Sequence, residues 1–185
     1  MNQLRIERCE LNYEGIFAKP AFALIDSPGS LCDLLVDTLG AFGCTAADLD
    51  IEDGGPDERG VTCNFEDMAV SIRGDRIELH CADFRSSAAE VGAVLTEIWP
   101  GLNAIRPSAA AKTHSFLFEA DAEIREGSYQ EVLNRLASVP PSFPTRTETA
   151  VVYYLPAEPH KGYGESSLVL SRSDEVQGGI QINAS

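Results

Sequence analysis

The chain has 185 residues, 44% of them hydrophobic and 23% charged, which is enough apolar length to bury a core and argues against wholesale disorder. Its formal net charge is −15, and such an acidic chain is expected to be repelled by phosphate backbones, so nucleic-acid binding is excluded. No apolar run approaches the roughly 20 residues of a membrane helix, and the first residues do not resemble a signal peptide. We therefore predict a cytoplasmic protein that is not associated with a membrane.

The first predicted elements are a strand and a helix. Residues 16–25 are predicted to form the strand, and the turn beginning at Ser27 can cap the helix that follows. The helix is indicated by apolar residues at helical spacing: Leu31, Leu34, Leu35, Leu39 and Phe42. Residues 46–60 are polar and rich in Asp, Glu and Gly, which predicts a surface loop.

The clearest local pattern is an antiparallel hairpin with Gly74 and Asp75 at its tip. One register places six apolar side chains on a single face by pairing Ile72 with Ile77, Val70 with Leu79, and Met68 with Cys81. The same register places Ser71, Glu78 and His80 on the opposite face, which we expect to be polar and open to solvent or to a partner.

The remaining elements follow from capping and periodicity. A second helix is predicted from a capping box at Ser87 and Glu90 to a stop at Pro100, and a third helix from a capping box at Ser128 and Glu131. The other predicted elements are strands at residues 114–119 and 149–155 and a closing hairpin of residues 167–171 and 179–183.

These elements predict an α+β fold in which a mostly antiparallel sheet carries about three helices on one face. The order of strand, helix and strands recurs after Ala18 and after Ala111, so one interpretation is a pseudo-duplicated β-α-β-β unit. Its halves would be residues 1–102 and 103–185, joined in one compact domain. The alternative is that ordinary α+β proteins share this order by chance.

Negative charge is concentrated in the first 100 residues, which contain 19 Asp and Glu against 7 Lys and Arg. This excess favours a protein partner with a basic surface, although solubility alone is the simpler explanation. The predicted partner-binding residues are Asp48, Asp50, Glu52, Asp53, Asp57, Glu78 and His80. A homo-oligomer formed through a sheet edge is a further alternative.

No metal or cofactor site is predicted. The five cysteines form no CxxC pair and fit free thiols in a reducing compartment. The carboxylates from Asp48 onward begin like a calcium loop, but Asp53 stands where glycine is needed and Arg59 where the bidentate Glu is needed. Glycine-rich phosphate loops and catalytic motifs are absent, and His114 is interpreted as a hydrogen-bonded structural histidine.

The sequence thus favours a non-catalytic, acidic protein-interaction module, such as an adaptor, an inhibitor or an immunity protein. No catalytic residue is predicted. The alternative is a small-molecule-binding or enzymatic domain with a pocket between helices and sheet, in which His160, Lys161 and Tyr163 lie near the mouth.

Overall fold

The computed structural model describes residues 4–55, 58–129, 131–132 and 166–185, and the backbone of 151–155. The described α-helices are α1 (Pro28–Leu39) and α2 (Phe84–Ile105). The strands are β1 (Leu4–Phe17), β2 (Leu49–Glu52), β3 (Gly60–Phe65), β4 (Met68–Arg73), β5 (Arg76–Cys81), β6 (Ala111–Ile124), β7 (Val151–Leu155), β8 (Ser166–Arg172) and β9 (Ile180–Ala184). The chain forms two compact units: a central unit of Leu11–Phe116, and a terminal unit of Met1–Glu10 with Leu117–Ser185.

In the central unit, the strands follow the order β2-β3-β4-β5-β1-β6, and the neighbours from β2 to β1 pair antiparallel. The predicted hairpin register of β4 and β5 is confirmed at all three apolar pairs. All six of those side chains are buried, because the period of two in a strand sends them to one face. The chain turns between β3 and β4 at Glu66, whose φ is +48°.

Both helices of the central unit are amphipathic, and they contact each other and the sheet. Helix α1 buries a stripe of leucines, Leu31, Leu35 and Leu39, each fully excluded from solvent. At Gly101 a Cβ atom would collide with the side chain of Leu34, so glycine allows α2 to approach α1 closely. The core therefore lies between the helices and one face of the sheet.

The predicted limits of α2 are wrong at both ends. The helix begins at Phe84, where Ser86 Oγ donates a 2.6 Å hydrogen bond to Asp83 Oδ2, so Ser87 lies inside the first turns rather than capping them. It also continues past Pro100 to Ile105. A proline inside a helix costs about 3 kcal/mol. Burial of Leu102, which is 0% exposed, offsets about 1.5–3 kcal/mol of this cost.

Two other predicted limits near the start of the chain are also wrong. The first strand is β1, which ends at Phe17, while part of the predicted strand forms a short 3-10 helix at Phe22–Leu24. The predicted loop of residues 46–60 contains strand β2, which pairs with β3 from Leu49↔Cys63 to Glu52↔Gly60. Leu49 to Glu52 alternate between apolar and acidic residues, and this alternation is the period of a strand.

In the terminal unit, the strand order is β1-β6-β9-β8-β7, with antiparallel pairs from β6 to β7. The predicted closing hairpin of β8 and β9 is confirmed. Ala122, Val132 and Ile180 form the buried core of this unit. The capping box of the third helix is confirmed, because Ser128 N donates to Glu131 Oε2 (2.8 Å) and Glu131 N donates to Ser128 Oγ (3.3 Å).

The structure confirms an α+β class with a large antiparallel component. It describes two complete α-helices and the first turn of a third, and the remainder of that predicted helix lies outside the described residues. In the part of the chain that the structure describes, no helix is both long and apolar enough to cross a membrane. The duplication and the division at residue 102 remain predictions.

The burial pattern of β5 makes a direct prediction for stability. Leu79 is 1% exposed, so Leu79→Ala should lower the free energy of unfolding by about 2–5 kcal/mol through lost burial and the cavity left behind. Its neighbour His80 is exposed on the other face, so His80→Ala should cost less than about 1 kcal/mol. Urea unfolding of both variants measures the difference, and equal losses would contradict the assigned faces.

Candidate functional site

The candidate site is the face of the central sheet opposite the helices, together with the adjoining edge at β2. The helices pack against the apolar face, which leaves the polar side chains of β1 to β5 partly or fully exposed. We call this surface the polar face. It carries Asn12, Glu14, Glu52, Thr62, Ser71, Arg73, Arg76, Glu78 and His80, with Asp50 at its β2 margin, and it includes four of the predicted partner-binding residues.

A row of hydroxyl groups crosses β3 and β4 at one end of the polar face. Thr62 Oγ1 lies 2.7 Å from Ser71 Oγ and also donates to Glu52 Oε1 at 2.7 Å. The carboxylate of Glu52 is held a second time by Arg73 Nη2, at 3.0 Å. The predicted residue Glu52 is therefore a fixed member of a cross-strand network rather than part of a free loop.

Two arginines hold the other carboxylates of the polar face. Arg73 Nε lies 3.3 Å from Glu78 Oε2, and Arg76 Nη1 lies 2.9 Å from Glu14 Oε1. Arg76 also bonds Asp75 at 3.0 Å, and these carboxylates raise its pKa above the ordinary arginine value. The network presents side chains whose rotamers are already fixed, which lowers the entropy lost on binding.

The predicted residue His80 lies exposed at the other end of this face. Its Nδ1 atom is 2.9 Å from Asn12 Oδ1 on β1. Within the described residues its partner is an amide, which fixes the ring without adding negative charge beside it.

The other predicted acidic residues lie along the edge strand β2 and beside it. Asp48 Oδ2 accepts bonds from Thr45 Oγ1 (2.6 Å) and Thr45 N (2.8 Å), and these bonds lower its pKa. Asp50 is exposed and forms no ion pair or hydrogen bond with the described residues. Asp53 is 91% exposed and reaches Arg59 only at 3.9 Å. Asp57 lies outside the described residues.

A shallow cleft opens beside this edge, between β2 and the start of α1. Its volume is about 210 Å³, below the roughly 300–1,000 Å³ of pockets for drug-sized ligands. The cleft has an apolar floor and a charged rim, and its lining residues are Ile25, Asp26, Pro28, Ile51, Asp53, Arg59 and Gly60. The alternative ligand-binding residues His160, Lys161 and Tyr163 lie outside the described residues.

The structure also contains an aromatic cluster that the sequence reasoning missed. Trp99 Nε1 donates to the Tyr13 hydroxyl at 2.9 Å, and this hydroxyl lies 2.6 Å from His114 Nδ1. The hydroxyl oxygen accepts from the indole, and the direction of its bond with His114 depends on the tautomer of the imidazole. The hydrogen bond predicted for His114 is present, but its side chain is exposed. The alternation of Leu11, Tyr13 and Phe17 was the available signal for this inner face of β1.

The cysteines fit core positions rather than a metal site. Cys44 and Cys63 are buried, and burial, together with the hydrogen bond between the two thiols, raises the pKa of the Cys63 thiol. A raised thiol pKa disfavours the reactive thiolate. Among the described residues, no group of three or more His, Cys, Asp or Glu is arranged to hold a metal ion.

The buried hydroxyl of Tyr13 makes the stability of the fold sensitive to alkaline pH. Burial raises its pKa above the ordinary value of about 10, while the bond from Trp99 partly opposes the shift. Its stabilising contribution is therefore complete below about pH 10 and is lost as pH rises through the higher folded-state pKa. Tyr13→Phe should flatten the fall of unfolding free energy above that pH. Urea unfolding at several pH values, followed by the fluorescence of the single Trp99, tests this, and equal slopes would contradict it.

No family model matches the chain, and no curated protein matches it. Among solved structures, it is similar to Methanococcus jannaschii TBP at 11% sequence identity and a TM-score of 0.36. The match covers 98% of this chain and 87% of that chain. A likeness at this TM-score supports no statement about fold or function.

Proposed function

We propose that the protein is a non-catalytic, acidic interaction module that binds a protein partner with a basic surface. The observation that carries this proposal is that three arginines of the central unit are already in ion pairs, while an exposed carboxylate of the same unit is not. Arg59, Arg73 and Arg76 already contact carboxylates of the same unit, while Asp50 stands exposed with no described partner. An incoming cation can therefore contact Asp50 without displacing an internal ion pair.

The overall charge of the central unit supports the same interpretation. Residues 11–116 contain 17 Asp and Glu against 7 Lys and Arg, so the unit is strongly acidic. Such a field accelerates encounter with a basic partner and repels acidic competitors. This steering weakens as salt screens it, since the Debye length falls from about 30 Å at 0.01 M to about 8 Å at 0.15 M ionic strength.

The arrangement of the polar face favours binding over catalysis. His80 bonds an amide, and Ser71 bonds Thr62, so neither is paired with a group that would activate a nucleophile. Glu52 and Glu78 share Arg73, so ion pairs hold both carboxylates in place. These contacts supply a preorganised surface and no reacting constellation among the described residues.

The test of this function is capture of the partner from native cells at low ionic strength, with the full chain as bait. The expected result is a stoichiometric basic protein that dissociates progressively as salt is raised. Capture of a partner that is acidic, or one that binds equally well at high salt, would contradict the electrostatic basis. A monodisperse protein with no partner would contradict the proposed function.

Charge reversal locates the acidic surface. Asp50→Lys with Asp53→Lys should weaken binding of the captured partner at low salt by at least about tenfold, which corresponds to 1.4 kcal/mol. The matched control is Asp33→Lys with Asp37→Lys on the exposed side of α1, which changes the net charge equally. Calorimetric titration measures both variants. Equal weakening would mean that total charge, not the β2 edge, governs binding.

The second candidate function is small-molecule binding, for which the cleft beside β2 is the specific observation. A ligand that binds only the folded state raises the melting temperature. A thermal-shift screen of metabolites and nucleotides distinguishes the two functions, because a shift of several degrees favours the cleft as a ligand site.

A further inference from the structure

We infer that the outer edge of β2 receives a basic, extended segment of the partner, which adds to the central sheet as one more strand. This inference rests on the proposed function and specifies how the partner would dock. It follows from three features of one corner of the central unit: an unpaired strand edge, the cleft beside that edge, and the sign of the surrounding charge.

The unpaired edge follows from the strand order. β2 is the last strand on its side of the sheet, and its four residues pair only with β3 among the described strands. An antiparallel strand directs its backbone groups alternately to its two sides, so the outer side of Leu49–Glu52 presents N–H and C=O groups for another strand. No described backbone or side-chain group outside β3 bonds to the backbone of these four residues.

The cleft lies where alternate side chains of an added strand would project. Ile51 is 50% exposed and lines the cleft with Ile25 and Pro28. The charged lining residues are Asp26, Asp53 and Arg59, so carboxylates outnumber cations by two to one. A lysine or arginine fits this combination, since its methylene stem can cover the floor while its cationic head reaches a carboxylate. A volume of about 210 Å³ suits one such side chain better than a drug-sized ligand.

The negative charge around β2 determines which kind of strand can pair with its edge. Asp48, Asp50 and Glu52 line the edge, and the nearby Arg59 is held only loosely by Asp53 at 3.9 Å. A second copy of β2 would place carboxylates opposite carboxylates, and like charges across strands are destabilising. Asp50 and Glu52 point to the face opposite Ile51, and they attract lysines on that side of an added strand. One feature therefore disfavours self-pairing and favours a basic partner.

The edge is short, so we expect modest affinity from it alone. Strands typically have 3–10 residues, and β2 offers only four to an added strand. Because salt screens the exposed carboxylates, the interaction should also weaken as ionic strength rises. A full partner would add contacts elsewhere, whereas a peptide isolates the contribution of the edge.

The probe is a blocked peptide of alternating Lys and Val, about eight residues long as in an ordinary strand, titrated into the full chain at low salt. Its control has the same sequence with alternate backbone nitrogens methylated, which keeps the charge and removes hydrogen-bond donors. The expected result is at least tenfold weaker binding of the methylated peptide. Amide hydrogen exchange should slow in β2 only with the unmethylated peptide.

Two protein variants locate the peptide. Asp50→Lys with Asp53→Lys should abolish binding, whereas Asp33→Lys with Asp37→Lys should retain at least half of the affinity at the same salt. Both pairs replace exposed side chains, and circular dichroism checks that each variant is folded.

Each contrary outcome has a distinct meaning. Equal binding of the two peptides would overturn strand addition while leaving the acidic interaction module in place. Slowed amide hydrogen exchange at His80 and Asn12 on the polar face, instead of at β2, would have the same meaning. Absence of peptide binding would also overturn strand addition, and the capture experiment would still decide the proposed function. Failure of that capture, with peptide binding intact, would overturn the proposed function alone.

Discussion

The central unit depends on one constraint: β4 and β5 must place their six apolar side chains on one face, and that face must be covered. The register that achieves this pairs Ile72 with Ile77 and continues along the hairpin. A slip of one residue would expose the whole set and bury the polar set. Helices α1 and α2 supply the cover. Once the helices cover one side of the sheet, the polar residues that alternate with the apolar ones must face solvent on the other side. The polar face is therefore a consequence of how the core is packed.

Internal ion pairs explain how an acidic sheet tolerates its own charge. Glu14 and Glu78 lie directly opposite each other on β1 and β5, where like charges destabilise a sheet, and Glu52 adds a third carboxylate on β2. Arg73 and Arg76 lie between them and contact all three carboxylates. These ion pairs are partly exposed and each contributes only about 0–1 kcal/mol, so their main effect is to fix side-chain positions and reduce repulsion. Arg73 and Arg76 pair with carboxylates of the sheet, and on β2 they leave Asp50 without an ion pair to the described residues.

The parts of this fold that could be predicted from sequence are those in which a local pattern has one outcome. The hairpin of β4 and β5 is such a case, because only one register sorts its apolar residues. The capping box at Ser128 is another, because two reciprocal bonds specify a helix start. In contrast, the end of α2 depended on tertiary packing: burial of Leu102 outweighs the local signal of Pro100.

The candidate site could be predicted only in part, for a related physical reason. Alternation placed Glu78 and His80 on the polar face, but sequence gives no indication that Asn12 would lie across from His80, because that pairing joins β1 to β5 over a long separation. The acidic run was interpreted as a loop because its charge outweighed the alternation of Leu49 and Ile51. That error hid the feature on which the docking inference rests, an edge strand.

An edge strand is normally a hazard, and the character of β2 shows how this one is controlled. Short length and exposed charge are the usual protections against edge-to-edge pairing, and β2 has both, with four residues and the exposed carboxylate of Asp50. Lysine would protect an edge equally well by repelling its own copy. Carboxylates also repel a second copy of the edge, but the strand that can still pair with them is positively charged instead of negatively charged. On the proposed docking, an acidic edge on an acidic unit disfavours pairing with its own copies by charge and favours a basic strand, for which backbone hydrogen bonds and Coulomb attraction act together.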